Sequence, residues 1–235
     1  MADIAGVTNG RERWSGDACI PRHTHGTAYA AVVISGSYEE CGSRGRFHVG
    51  PGHVLLHGAF DAHLDRFSHT GAEILNIALR DEVSFAIGHI ADADAIARLA
   101  EKDARAAGDV LCAEVAPHEN KARDWPDLLA DCLLDNPDCR LSHWANAHGL
   151  ALETLSRGFG RVFGLTPAAF RAEARARRAF RQIVDGCTPL ADIAAAAGFA
   201  DQPHMSRAIK ALTGATPQTW RHQSNWFKTS AAQPA

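Results

Sequence analysis

The chain has 235 residues, enough for one or two domains. Hydrophobic residues make up 46% and charged residues 22%, with a formal net charge of −3, which excludes a disordered chain and a simple polycation that coats nucleic acid. Apolar runs such as 29–34 and 54–56 fall far short of the roughly 20 residues a spanning helix needs. The start, MADIAGVTNGRERW, has no basic segment followed by an apolar core, so neither membrane insertion nor export is expected.

In chain order, 17–80 reads as short strands at 29–35, 38–41, 46–49, 53–56 and 73–79, rich in Val, Ile, Tyr and Phe. Turn signals at 35–37 (SGS), 41–45 (CGSRG) and 50–52 (GPG) separate them, the pattern of an antiparallel sandwich or barrel. From about residue 92 the spacing becomes helical. The segment 91–108 carries Ile96, Leu99 and Ala100 on one face and predicts a single helix ending at Gly108 as C-cap. Past Pro117 come several short helical segments. The six cysteines are scattered without a CxxC pair, so free thiols in a reducing cytosol are expected.

The net charge conceals a division. Residues 1–119 hold 10 Lys/Arg against 17 Asp/Glu, whereas 139–228 hold 12 against 5. Such asymmetry between halves points to a nucleic-acid-binding segment joined to something else.

The basic half contains an internal repeat. SRGFGRVFGLTPAAFR (156–171) aligns without gaps to SRAIKALTGATPQTWR (206–221), with six identities: Ser156/Ser206, Arg157/Arg207, Gly164/Gly214, Thr166/Thr216, Pro167/Pro217 and Arg171/Arg221. Two copies of one supersecondary unit follow. Each copy reads as a helix-turn-helix, 141–163 turning at Gly149 and 190–212 turning at Gly198, where glycine tolerates the positive φ of a sharp turn. Asp201 is placed to cap the second helix of the later unit, with Pro203 in its first turn. Ala151 is a weak cap in the earlier one. The second helix of each unit is the candidate recognition helix. It presents Glu153, Thr154, Ser156, Arg157 and Arg161 in the first unit, and Gln202, Pro203, His204, Ser206, Arg207 and Lys210 in the second. Arg suits guanine and Gln suits adenine in the major groove. Residues 166–185 predict one linking helix of about 27 Å. Its Arg171, Arg175, Arg177, Arg178 and Arg181 suit phosphate contact on whichever face is turned to DNA.

The runs A-x3-G at 145–149, LSRGF, DIAAAAGFADQPHMSR and GATPQTWR together resemble the AraC/XylS-type transcriptional regulators over about 122–224. The resemblance implies two helix-turn-helix units joined by a long helix, with Glu153, Thr154, Ser156 and Arg157 of the first unit and Gln202, Pro203, His204, Ser206 and Arg207 of the second facing bases. Three positions depart from the pattern: Glu153 is acidic, Ala151 weakens a cap, and Ile209 stands where Phe is usual. The stretches PRHTHGTAYAAVVISGSYEE (21–40) and FHVGPGHVLLHGAFDAH (47–63) resemble the cupin-like effector domain that often precedes such a DNA-binding pair. In metal-binding cupins an H-x-H pair, a Glu four or five residues on and a later His converge. Here His23 and His25 supply the pair on one strand face and His63 the later His, with His57 nearby. Tyr29 and Ala30 occupy the positions where the Glu belongs.

The reading is therefore a multidomain α and β chain: a cupin-like β-barrel at 1–88, a helical connector at 89–119, a double helix-turn-helix domain at 120–224 and a tail at 225–235. His23, His25, Tyr29, His57 and His63 are the candidate effector pocket. His23, His25 and His63 would be the ligands of Zn²⁺ or Fe²⁺ if the cluster is a metal site rather than a set of hydrogen-bonded core histidines. No cofactor is required by this reading. His48, His53, His69 and His89 read as surface or strand-edge residues. The resemblance implies promoter DNA, a small-molecule effector and RNA polymerase as partners, in the cytoplasm and away from membranes. The helix at 91–108 serves either homodimerisation or packing on its own barrel. Two functions compete: an effector-responsive transcription factor without enzymatic activity, or a metal-dependent cupin oxygenase or isomerase with an appended DNA-binding module.

Overall fold

The computed structural model describes residues 4–5, 9–80, 83–119, 123–136 and 139–223; the expected tail at 225–235 lies outside them. Strands come first: β1 (Ile4–Ala5), β2 (Gly10–Trp14), β3 (Cys19–His25), β4 (Tyr29–Gly42), β5 (Gly45–Val49), β6 (His53–His57), β7 (Ala62–Ala78) and β8 (Ile87–His89). Then follow α1 (Ala93–Ala100), α2 (Ala104–Glu114), the short β9 (Ala116–Pro117), α3 (Trp125–Asp135), α4 (Leu141–Ala147), α5 (Leu152–Phe163), α6 (Pro167–Asp185), α7 (Leu190–Ala196) and α8 (Gln202–Thr213).

The strands form one sheet with the path β1-β3-β7-β4-β6-β8-β9, β2 also pairing with β7 and β5 with β4. No pairing among the described residues closes this path, so the expected barrel is corrected to an open, sharply bent sheet. Its spine is the antiparallel pair β4·β7. The expected turn at 35–37 is instead a bend inside β4, with register shifts between Val33 and Ser35 and between Gly36 and Tyr38. Gly36 (φ 74) and Gly71 (φ 68) meet there. A Cβ on Gly36 would sit 2.0 Å from the Gly71 carbonyl oxygen, so only glycine permits the crossing. Bending lets the two halves of the sheet face each other: Tyr29, Ala31, Val33, Leu55 and Ile74 from one half pack with Tyr38, Phe47, Val49 and Phe67 from the other.

The opposite face of the first half is also covered. Ala30, Val32, Leu56, Leu75 and Ile77 pack against Ile96, Ala97, Ala107 and Leu111 of α1 and α2. Burial on both faces is why 29–34 reads as an unbroken apolar run rather than an alternation. The single helix expected at 91–108 is two helices. Asp103 accepts from the backbone N–H groups of Arg105 and Ala106, both at 3.0 Å, and restarts the chain as α2. Gly108 is buried inside α2 rather than capping a helix.

Helices α3–α8 build on the remaining surfaces of the sheet. Cys41 and Leu64 join Leu129, Leu133, Leu155, Phe159, Phe163 and Phe170 in one core. Phe60 joins Phe180, Ile183, Ile193, Met205 and Ile209 in another. Cys132 and Cys139 are disulfide-bonded, with Cα atoms 6.3 Å apart, which corrects the expectation of free thiols for this pair. Cys19, Cys41, Cys112 and Cys187 are free.

Candidate functional site

Two helix pairs, α4–α5 and α7–α8, each joined through a glycine turn, lie within the repeat. In the first, α4 ends, Gly149 takes φ 65, and α5 begins after Ala151, whose side chain makes no cap hydrogen bond. In the second, Gly198 takes φ 76 and Asp201 caps α8 by accepting from the His204 backbone N–H at 2.6 Å. One stripe of each second helix is buried: Leu155, Phe159 and Phe163 on α5, and Met205, Ile209 and Thr213 on α8. Ile209 therefore fills a core position. The other face carries the candidate reading residues. Glu153, Thr154, Arg157, Arg161, Pro203, His204, Arg207 and Lys210 are exposed, and Ser156, Gln202 and Ser206 are half-buried. Glu153 lies 3.5 Å from the Arg157 guanidinium one turn on, so the acidic departure orients a neighbouring arginine.

The repeat identities divide into two kinds. Gly164 (φ 73) and Gly214 (φ 79) are left-handed C-caps. Thr166 caps α6 through the Ala169 N–H, and Thr216 receives the Thr219 N–H in the same way. Arg171 donates to the carbonyl of Cys139, two residues before α4, and Arg221 donates at 2.7 Å to the carbonyl of Thr188, two residues before α7. Each copy thus ties its last helix back to the start of its own unit. These identities hold the fold, whereas Ser156/Ser206 and Arg157/Arg207 remain on the outer face.

The linking helix α6 differs from expectation in the use of its arginines. Arg171 serves the carbonyl just described, and Arg175 lies 5.6 Å over the Phe199 ring. Arg177 is buried and donates to Ser43, with Asp61 at 3.6 Å; Arg181 also lies 3.6 Å from Asp61. Burial pulls the Arg177 guanidinium down to about 10, opposed by Asp61 and Glu173, so it stays charged at neutral pH. Phosphate contact is therefore corrected for Arg171 and Arg177, which bind protein instead. Arg178 is half-buried beside Ser43, Arg44 and Asp61.

The histidines converge on the inner face of the sheet. His23 of β3 pairs in register with His63 of β7, their ring centroids 4.2 Å apart. His25 lies 4.9 Å from His23, and His57 4.6 Å from His63, by the same measure. Tyr29 stacks on His57 at 4.4 Å, and its hydroxyl lies 3.2 Å from His63 Nε2. Two buried carboxylates that the sequence reading missed complete the group. Glu40 Oε2 lies 3.4 Å from His57 Nε2, and Asp65 Oδ2 lies 3.8 Å from His63 Nε2. His23, His25, Tyr29, His63, Glu40 and Asp65 line a cavity of about 210 Å³, finished by Glu12, Trp14, Tyr38, Phe67 and Asn76, with His57 behind Tyr29 outside the lining. Burial first, and then His57, His23 and His25, hold the His63 imidazole well below its ordinary value, so it is neutral. Burial and then Glu40 hold the Asp65 carboxyl well above its own. The 3.8 Å approach between them is accordingly no ion pair. His48, His69 and His89 are exposed and His53 is half-buried.

Strand alternation joins this cavity to α5. On β7, His63 and Asp65 point inward, while Leu64 enters the α3–α5 core and Arg66 donates to the carbonyls of Arg161 and, at 3.1 Å, Val162. On β3, His23 points inward, while Arg22 donates to the Phe163 carbonyl at 3.2 Å and to Glu173 at 2.6 Å.

The helix-turn-helix domain family matches residues 144–223. The matched segment is a helix-turn-helix domain. The virulence regulon transcriptional activator VirF of Yersinia enterocolitica is 33% identical over 82 residues, 35% of this chain and 30% of that protein. The HTH-type transcriptional regulator ExsA of Pseudomonas aeruginosa is 30% identical over 82 residues, again 35% and 30%. The chain thus matches about a third of the length of these relatives. A crystal structure of ToxT from Vibrio cholerae overlaps 92% of this chain and 96% of its own, with 11% identity and a TM-score of 0.41. The matched residues take in the end of α4 and all of α5 to α8. No helix among the described residues is long and apolar enough to cross a membrane.

Proposed function

We propose that the chain is a sequence-specific transcriptional regulator, in which the strand-rich N-terminal part is a cupin-like sensor that binds a small effector and the AraC-type domain binds promoter DNA. The observation that carries this reading is the pair of recognition helices, each with its apolar stripe buried and its polar stripe exposed. The 19-residue α6 between the units is about 28 Å long, close to the ~34 Å of one DNA turn, so both helices can enter successive major grooves on one side of the duplex. Relatives named as transcriptional activators favour this over the enzyme reading. RNA polymerase is then the second partner and the cytoplasm the site of action. Pairing of two chains through α1 and α2 would suit two-site binding.

The sensing step follows from the shared strands. An effector that moves His23 or His63 moves Arg22, Leu64 and Arg66, which sit on the last turn of α5. Selection of bound sequences from random duplex DNA, followed by gel-shift titration, tests the core of the reading. A defined motif with two half-sites about one turn apart is expected. Recovery of no motif, with binding that ignores sequence, would refute it.

A further inference from the structure

A second cleft, of about 430 Å³, lies between α6 and the sheet and shares no lining residue with the histidine cavity. Helix α6 contributes Arg177, Arg178 and Arg181, which recur on one helical face, and the β4–β5 turn contributes Ser43 and Arg44. Four guanidinium groups thus border the cleft, against one carboxylate, Asp61, among the described lining residues. That carboxylate is already shared. Its Oδ2 accepts from the Gly58 backbone N–H at 2.9 Å, and its Oδ1 lies 3.6 Å from both Arg177 and Arg181, beyond hydrogen-bond reach. Arg44 stands 4.0 Å away. Glu173, outside the lining, lies 3.9 Å from Arg177 but is bonded to Arg22 at 2.6 Å. Arg178 makes no ion pair among the described residues. Burial first, and then the charges of Arg22 and Arg181 against those of Asp61 and Glu173, bring the Arg177 guanidinium down to about 10. Positive charge left in excess in a concave site concentrates anions there.

We propose that this cleft binds the phosphoryl group of a small phosphorylated metabolite through Arg44, Arg178 and Arg181, with buried Arg177 adding its charge while it stays bonded to Ser43. A guanidinium fork meets two phosphate oxygens at once, and a dianion offsets the arginine cluster better than a monoanion does. The volume exceeds what a free phosphate fills and falls in the roughly 300–1,000 Å³ range of small-molecule sites. Apolar lining is confined to Ala86, Leu134 and Ala174, so the ligand body is compact and polar, and a long aliphatic chain finds no channel. Ser43, Arg44 and Asp61 belong to the strand-rich part and the other three arginines to the helix that links the two helix-turn-helix units. A bound ligand therefore bridges them and fixes where α6 sits. That its occupancy alters DNA binding rests on the regulator reading; the anion site itself does not.

The test uses the full chain at constant ionic strength, titrated by calorimetry with inorganic phosphate and with glycerol 3-phosphate, and with glycerol and acetate as controls. One phosphate per chain is expected, with glycerol 3-phosphate bound more tightly and the controls not at all. Arg178→Ala and Arg181→Ala, at half-buried and exposed positions, leave the Arg177–Ser43 bond in place and should each weaken binding roughly 10-fold or more. Arg178→Lys keeps the charge without the fork and should bind with intermediate affinity. Arg98→Ala, on the exposed side of α1, removes an equal charge away from the cleft and should change nothing. Absence of phosphate binding, or binding that falls as far with Arg98→Ala, overturns the site. Acetate bound as tightly as phosphate overturns the phosphoryl assignment. A chain that takes up neither probe, yet loses salt dependence of DNA binding with Arg178→Ala, assigns the cleft to the DNA backbone and overturns the proposal as well. Gel shifts with the selected operator, with and without glycerol 3-phosphate, read the regulatory half, where a changed affinity is expected. Unchanged operator affinity in a chain that binds the probe overturns that half alone, whereas sequence-blind DNA binding in such a chain overturns the regulator reading.

Discussion

Arg22 on β3 donates to the carbonyl of Phe163, the last residue of α5, at 3.2 Å, while its neighbour His23 faces the cavity. A helix leaves its last carbonyls without intrahelical partners, and a guanidinium there also meets the negative end of the helix dipole. One strand of the N-terminal sheet thus caps α5, a candidate recognition helix.

Arg22→Ala removes this cap and the 2.6 Å bond to Glu173, leaving a half-buried carboxylate short of a partner. Loss of about 1–3 kcal/mol of stability is expected by chemical denaturation. Operator affinity should respond less to effector than in the parent chain, because the link from β3 is cut. Full response in the variant would show that β7 alone carries the signal.

The repeat made the helical half legible. Turn glycines, caps and apolar stripes recur at a fixed offset, and each has a local cause that sequence displays. The sheet was legible only in part. A bend held by Gly36 against Gly71 shifts the pairing register twice, so alternation counted from Tyr29 fails before it reaches Glu40. The cupin pattern placed a carboxylate at 29–30, and the one beside His57 stands ten residues later, past that bend. Arg171 and Arg177 were misread for another reason. Composition marks an arginine as a phosphate ligand, but only tertiary packing places Ser43 and the Cys139 carbonyl in front of it.

Arg207→Ala and Lys210→Ala, both on the exposed face of α8, separate base reading from phosphate contact. A bidentate arginine contributes about 1–3 kcal/mol of discrimination, so Arg207→Ala should lower operator affinity and relax preference at one base pair. Lys210→Ala should weaken all duplexes alike and reduce the slope of log affinity against log salt by about 1. Gel-shift titrations across salt concentrations check both. Equal operator affinity of the Arg207 variant and the parent would remove that residue from the interface.

Arg171→Ala and Arg221→Ala should behave alike, because each arginine ties its unit's last helix to the carbonyl two residues before its first. About 1–3 kcal/mol of stability should be lost in either variant, since an acceptor loses its charged donor. The salt slope of DNA binding should stay unchanged. A reduced slope would return these arginines to the phosphate backbone.

Gly108→Ala distinguishes the observed α2 from a helix that ends at residue 108. At a C-cap the glycine would take a positive φ, and alanine there would be strained. Inside α2 the φ is helical, and an added Cβ would meet Ile77 Cγ2 at 3.4 Å, an ordinary van der Waals distance. Alanine in a helix interior is favoured over glycine by about 0.5–1 kcal/mol, and here it also adds a methyl to the α2–β7 contact. Thermal denaturation should therefore show a higher Tm for the variant. A lower one would mean that the close approach of α2 to Ile77 tolerates no side chain at all, and that packing outweighs backbone entropy at this position.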